Sequence, residues 1–151
     1  MTTRHELEGT LARWFALDAD SQLGVFTGAY AAWPAAVFED YVAVRAADEF
    51  LDSAPVVTEG MLSAAYRASK ADPTFPLREA SRGLYSFDAD LGYGGSTIYF
   101  LGASPAQPLV ARSAPELLLR AARLVRFTSL RFANVTQLDL AHLVPFVIGD
   151  G

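Results

Sequence analysis

At 151 residues, 52% hydrophobic and 19% charged, the chain has the size and composition of one folded domain, and folding at this length removes roughly 68–70% of the unfolded chain's surface from water. Ten Phe, six Tyr and two Trp supply core material; no apolar run approaches the roughly 20 residues of a membrane span, and Glu6 and Glu8 interrupt a cationic signal start, so the expected location is cytoplasmic. The lack of cysteine excludes disulfides, thiolate metal sites and a Cys nucleophile, while a net charge of −5 argues against nucleic acid, whose phosphates are met by a concentrated basic surface.

Thr3 and Glu6 have capping-box spacing, and Leu7, Leu11, Trp14 and Phe15 fall on one helical stripe, so an amphipathic helix is expected from Thr3 to about Leu17. Asp18, Asp20 and Ser21 break it, and Leu23–Thr27 has the β-branched and aromatic character of a strand. Residues 28–34 form a small-residue loop carrying Tyr30 and Trp33. A second strand is expected at Tyr41–Arg45, a short helix from Ala46 to Ser53 ending before Pro55, and a longer helix from Thr58 to about Ala71, stopped by Pro73 and Pro76. A helical turn at Leu77–Ser81 then closes on Gly83.

The clearest β signal is Leu84–Phe87 and Thr97–Leu101 around a loop with Gly92, Gly94 and Gly95, which predicts a hairpin at the centre of the sheet with Phe100 buried. Ser113 and Glu116 repeat the capping-box spacing ahead of a helix with Leu117, Ala121 and Leu124 inward and Arg120 and Arg123 outward. In the segment 125–132 the apolar alternation changes phase near Thr128–Ser129, which predicts a bulge or break. The tail from Leu138 to Ile148 is apolar enough to pack on the body. Together these elements make a single α+β domain over residues 1–151, with one mixed or antiparallel sheet containing a central hairpin and packed against several helices.

No chemical motif emerges. His5 and His142 have no partner at metal-ligand spacing, and the stretch Asp88–Tyr99 lacks the Gly and Glu that a calcium loop places at its sixth and twelfth positions. The glycines at 92–95 lead into a strand rather than a helix N-terminus, and Ser69 and Lys70 are adjacent, which places their side chains apart on a helix. Neither metal nor cofactor is therefore expected. Among carboxylates, Glu39, Asp40, Asp48, Glu49 and Asp52 gather within fourteen residues, but Asp48 and Asp52 stand i, i+4 and read as a solvated face, which does not raise a carboxylate pKa.

Asp18–Thr27, Gly83–Asp88 and Pro105–Leu109 resemble stretches of small bacterial single-domain proteins, some of them immunity proteins that accompany polymorphic toxins. The resemblance implies a non-enzymatic α+β domain that binds another protein, a toxin for instance, with no catalytic residue to carry over. Glu39, Asp40, Asp48, Glu49 and Asp52 beside Tyr30 and Trp33 would then be the partner-binding surface, acids steering a basic partner and aromatics anchoring it. The alternative is a small-ligand or enzyme domain whose pocket gathers dispersed residues such as Tyr30, Trp33, Tyr85 and Tyr99. A dimer seamed at the aromatic loop is the third reading.

Overall fold

A computed structural model describes residues 13–28, 33–89, 97–141 and 147–148. They form a mixed sheet with four helices against one of its faces, an α+β arrangement. Strands β1 (Arg13–Leu17), β2 (Leu23–Thr27), β3 (Gly60–Leu62), β4 (Tyr85–Ala89), β5 (Ile98–Pro105), β6 (Val125–Arg126) and β8 (Val147–Ile148) run in the order β3-β5-β4-β2-β1-β6-β8, and β7 (Gln137–Asp139) also pairs with β5. Strand β2 is parallel to β4 and β1 to β6, while the other pairs are antiparallel. The parallel β2–β4 pair forces a long crossover, and residues 28–84 supply it with α1 (Tyr41–Leu51), β3, α2 (Ala64–Ser69) and α3 (Thr74–Ser81). Helix α4 (Glu116–Ala122) packs beside α1 over β1.

The first expected helix ends differently: Arg13–Leu17 is a strand, all five of its residues buried, and residues 3–12 lie outside the described residues. A strand covered on both faces has no period-2 alternation to display, and its large apolar residues then fit a helical stripe equally well. Tyr41–Arg45 is the opposite case, the first turns of α1 instead of a strand. Asp40 caps this helix by accepting from the Ala43 amide at 3.2 Å, and Ala43, Val44, Ala47 and Leu51 bury its inner face. The Thr58–Ala71 helix is replaced by edge strand β3 and the shorter α2, which Ser63 caps through the Tyr66 amide at 3.0 Å. Gly60 brings β3 so near α3 that a Cβ there would stand 2.8 Å from that of Ala80. At α4 the side chains turned inward are Leu118, Leu119, Ala121 and Ala122, Leu117 is exposed, and no side chain caps the start, since Pro115 takes that place.

Both arms of the expected hairpin are present as the antiparallel pair β4 and β5, interior to the sheet, although the middle strand is β2; the connecting residues 90–96 lie outside the described residues. Gly83 has the positive φ of +94° expected of a residue closing a helix, and Leu109 packs against the space a Cβ would need. Strand β6 ends at Arg126, before the predicted break at Thr128–Ser129.

The sheet's two faces differ in kind. On one, the register partners Trp14, Phe26 and Phe87 stack across three strands with ring centroids 4.1 and 4.7 Å apart, and Tyr99 meets Trp14 and Phe26 edge-on. Trp14 Nε1 donates to the Tyr99 hydroxyl at 3.0 Å, so the buried indole is satisfied. Phe127 and Phe132 close this core, and Gly24 gives Phe132 its room, a Cβ there falling 2.8 Å from the ring. The fully buried Asp18 fastens the covering segment: one oxygen accepts from the Asp20 and Gln22 amides at 2.9 Å and the other from the Phe132 amide at 2.8 Å.

Phe100 does not belong to this core. It is 39% exposed, because it pairs with Asp88 on the helix-covered face, at the level where that helical layer ends. Truncation should separate the two sites: Phe87→Ala removes a ring at 0% exposure from the stack and should cost about 3–5 kcal/mol, whereas Phe100→Ala should cost less than half as much. Urea denaturation midpoints check this, and equal losses would contradict it.

Candidate functional site

The other face carries a row of register partners, Arg13 on β1, Thr27 on β2, Asp88 on β4 and Phe100 on β5. Directly opposed residues share a face of a sheet, so a cation, a hydroxyl, a carboxylate and an aromatic ring stand side by side. The next row inward is Phe15, Val25 and Ser86. Above these rows α1 contributes Asp48 and Asp52, α2 contributes Tyr66, and α3 contributes Phe75, Pro76 and Glu79; with Arg13, Thr27 and Asp88 they enclose a cavity of about 400 Å³. Pro76 and Tyr66 reach the sheet itself, where Gly102 leaves them room.

Arg13 is the electrostatic centre of the wall. Its Nε donates to Asp48 Oδ1, Nη1 to Glu79 Oε2 at 3.1 Å, and Nη2 both to the Asp48 main-chain oxygen at 2.7 Å and to Asp52 Oδ1 at 3.1 Å. Four of the five guanidinium N–H groups are thereby used within the protein. Burial works to lower the Arg13 pKa, and attraction from Asp48 and Glu79 outweighs it, so the group stays above its ordinary value and charged. Glu79, 3% exposed, also accepts from Ser86 Oγ at 2.7 Å; burial nevertheless pushes its carboxyl upward, against the pull of Ser86 and Arg13. Asp48 moves up for the same reason, with Asp52 and Glu49 adding to burial and Arg13 opposing it.

Asp88 has a different environment. Burial raises its pKa, opposed by the nearby Tyr66 hydroxyl, and no ion pair reaches it among the described residues. That hydroxyl donates its proton to the Asp72 main-chain oxygen at 3.1 Å. Burial raises the Tyr66 pKa too, with Asp88 and Asp72 adding to it.

The expected partner-binding residues do not come together as one surface. Trp33 is buried, stacked on Phe38 and donating through Nε1 to the Gly28 main-chain oxygen at 2.8 Å, which makes it a core residue and not an exposed anchor. Tyr30 lies outside the described residues. Asp40 is occupied as a helix cap and by Arg120 at 3.2 Å, Glu49 pairs with Arg45 one turn earlier, and Glu39 is exposed. Of the expected acids only Asp48 and Asp52 line the cavity; the 17% exposure of the Asp48 side chain corrects the solvated-face reading at that residue, whereas Asp52, 57% exposed, keeps it. Tyr85 and Tyr99, expected as pocket residues, are buried in the aromatic core on the far face. His5, His142 and the glycines at 92–95 are outside the described residues.

Arg13, Thr27, Tyr66, Phe75, Pro76, Glu79 and Asp88 were not among the residues expected from sequence to form a site. One signal was available: Arg13 interrupts the apolar run Leu11–Leu17, and a charged residue inside a buried strand has to find partners. Among the described residues no group of three or more His, Asp or Glu is placed to hold a metal ion, and no helix is long and apolar enough to cross a membrane. Comparison of the chain with protein-family models, curated proteins and solved structures found no match.

Two outcomes follow from the electrostatics. Arg13→Met leaves Asp48 and Glu79 buried without their cation and should cost about 3–5 kcal/mol at pH 7, with part of the loss recovered towards pH 5 as the carboxyls take up protons. A loss independent of pH in urea titrations would contradict this. Asp88 has a folded pKa above its unfolded value, so the folded state binds more protons between the two and stability falls as pH rises through that window. Asp88→Asn should therefore have a denaturation midpoint at or above the parent's at pH 7, the advantage shrinking to nothing near pH 4. A variant less stable at pH 7 than at pH 4, relative to the parent, would show Asp88 to be stabilising as an anion.

Proposed function

We propose that this chain is a ligand-binding domain and that the cavity between the sheet and helices α1, α2 and α3 receives a small organic molecule. The cavity carries the reading. Its volume of about 400 Å³ falls within the range of roughly 300–1,000 Å³ usual for such sites. Its walls divide the work in the usual way, Tyr66, Phe75 and Pro76 offering apolar contact and Arg13, Thr27, Asp48, Glu79 and Asp88 offering polar groups held by neighbouring elements. A polar group fixed by its neighbours loses little freedom when a ligand arrives, which favours affinity.

Binding to a protein, a toxin among the candidates, is the second reading, and one observation supports it: Phe75, on the wall of the cavity, is 62% exposed, with the Arg78 guanidinium 5.6 Å from its ring centroid. An exposed aromatic beside acidic groups suits the rim of a protein contact. Ligand-observed NMR with a mixed fragment library, mapped by ¹H–¹⁵N correlation spectra, distinguishes the two. The first reading expects hits that shift the Thr27, Tyr66 and Asp88 amides and that vanish in Thr27→Phe, whose ring occupies part of the space. A library without a hit at these amides, in a protein whose spectrum shows it folded, would remove the small-molecule reading.

A further inference from the structure

We propose that the group this cavity receives is an organic cation, an ammonium or amidinium head on an apolar body, with Asp88 as its counterion; this rests on the cavity being a binding site. Arg13 is the one cation among the described lining residues. Four of its five N–H groups are committed to Asp48, Asp52 and Glu79, so it has little left with which to hold a carboxylate or phosphate. An anionic ligand would moreover enter among four carboxyl groups, those of Asp48, Asp52, Glu79 and Asp88.

Asp88 has no ionic partner among the described residues. It stands in the same sheet row as Arg13, yet Thr27 separates them, and the guanidinium is drawn instead towards α1 and α3. A half-buried carboxylate without a cation carries a desolvation cost, and a wholly neutral ligand would leave that cost in place. A ligand ammonium or amidinium would remove it and supply the N–H donors that the Tyr66 hydroxyl, given to the Asp72 main-chain oxygen, does not. A metal cation fits less well, because the other carboxylates are turned to Arg13 and no group of three is arranged for coordination among the described residues. The remaining wall of Tyr66, Phe75 and Pro76 matches the apolar body that the cationic head would carry.

Benzylamine, benzamidine, benzyl alcohol and benzoate share one ring and differ in charge, which makes them suitable probes. Titrated into ¹⁵N-labelled protein at pH 7.5, benzylamine or benzamidine should shift the Thr27, Tyr66 and Asp88 amides and saturate at concentrations at least about tenfold below those benzyl alcohol needs, with benzoate weaker still. Asp88→Asn, expected to fold at least as well as the parent, should abolish the difference between benzylamine and benzyl alcohol. Benzyl alcohol or benzoate saturating these amides as readily as the amine, or the variant binding benzylamine as tightly as the parent, would overturn the assignment of charge while leaving the cavity a binding site. If no probe of any charge reaches these amides in the folded protein, the cavity reading and the inference fall together.

Discussion

The helical layer of this domain meets the sheet, at one end, through a charge. Arg13 leaves β1 on the helix-covered face and is held by Asp48 and Asp52 of α1 and by Glu79 of α3. Apolar side chains interdigitate until little space remains, but a guanidinium must keep its donors in plane with their acceptors, and its carboxylate partners must stand around it. Two helices fastened in this way cannot collapse onto the sheet row that Arg13 begins. The opening at Thr27 and Asp88 follows from that geometry, and so does the exposure of Phe100 at the end of the same row.

The opposite face shows what the domain does where no such constraint exists. Trp14, Phe26 and Phe87 stack in register, Tyr99, Phe127 and Phe132 pack around them, and the indole N–H finds the Tyr99 hydroxyl. Asp18 is buried there as well, yet its carboxylate accepts three main-chain amides and ties the turn after β1 to the segment covering the core. Asp18 and the half-buried Asp88 thus have opposite characters. Asp18 is satisfied by the backbone around it, whereas Asp88 lines a cavity with no ion-pair partner among the described residues, which is the condition under which retaining an acid suggests use rather than architecture.

Much of the β framework was legible because its signals are local. Leu23–Thr27 is a short β-branched and aromatic run following turn residues, the two arms of β4 and β5 flank a glycine-rich loop, and Gly83 follows a helical turn as a residue able to take positive φ. The errors fall where burial or capping overrides local preference. Tyr41, Val42 and Val44 have strand propensity, but Asp40 caps them and Val44 packs inward from a helix. Arg13–Leu17 is covered on both faces and so loses the alternation by which a strand is recognised.

The site was less legible than the fold, for a reason visible in its residues. Asp48 and Asp52, four positions apart, were noticed as a pair but assigned to solvent, since spacing on a helix fixes which side chains share a face and says nothing of what that face meets. What it meets is Arg13, 35 residues earlier than Asp48, and Glu79, 66 residues later than Arg13. Such a cluster exists only once the long β2–β4 crossover has laid α1 and α3 over β1, so no window of sequence contains it. The local trace it does leave is a charge where burial is expected: Arg13 beside Trp14 and Phe15, Glu79 beside Ala80, Asp88 between Phe87 and Ala89. Each is unfavourable alone, and ionisable groups that a fold buries against that cost must answer one another or a ligand. Arg13 and Glu79 answer one another; Asp88, in the same row as Arg13, has no ion-pair partner among the described residues.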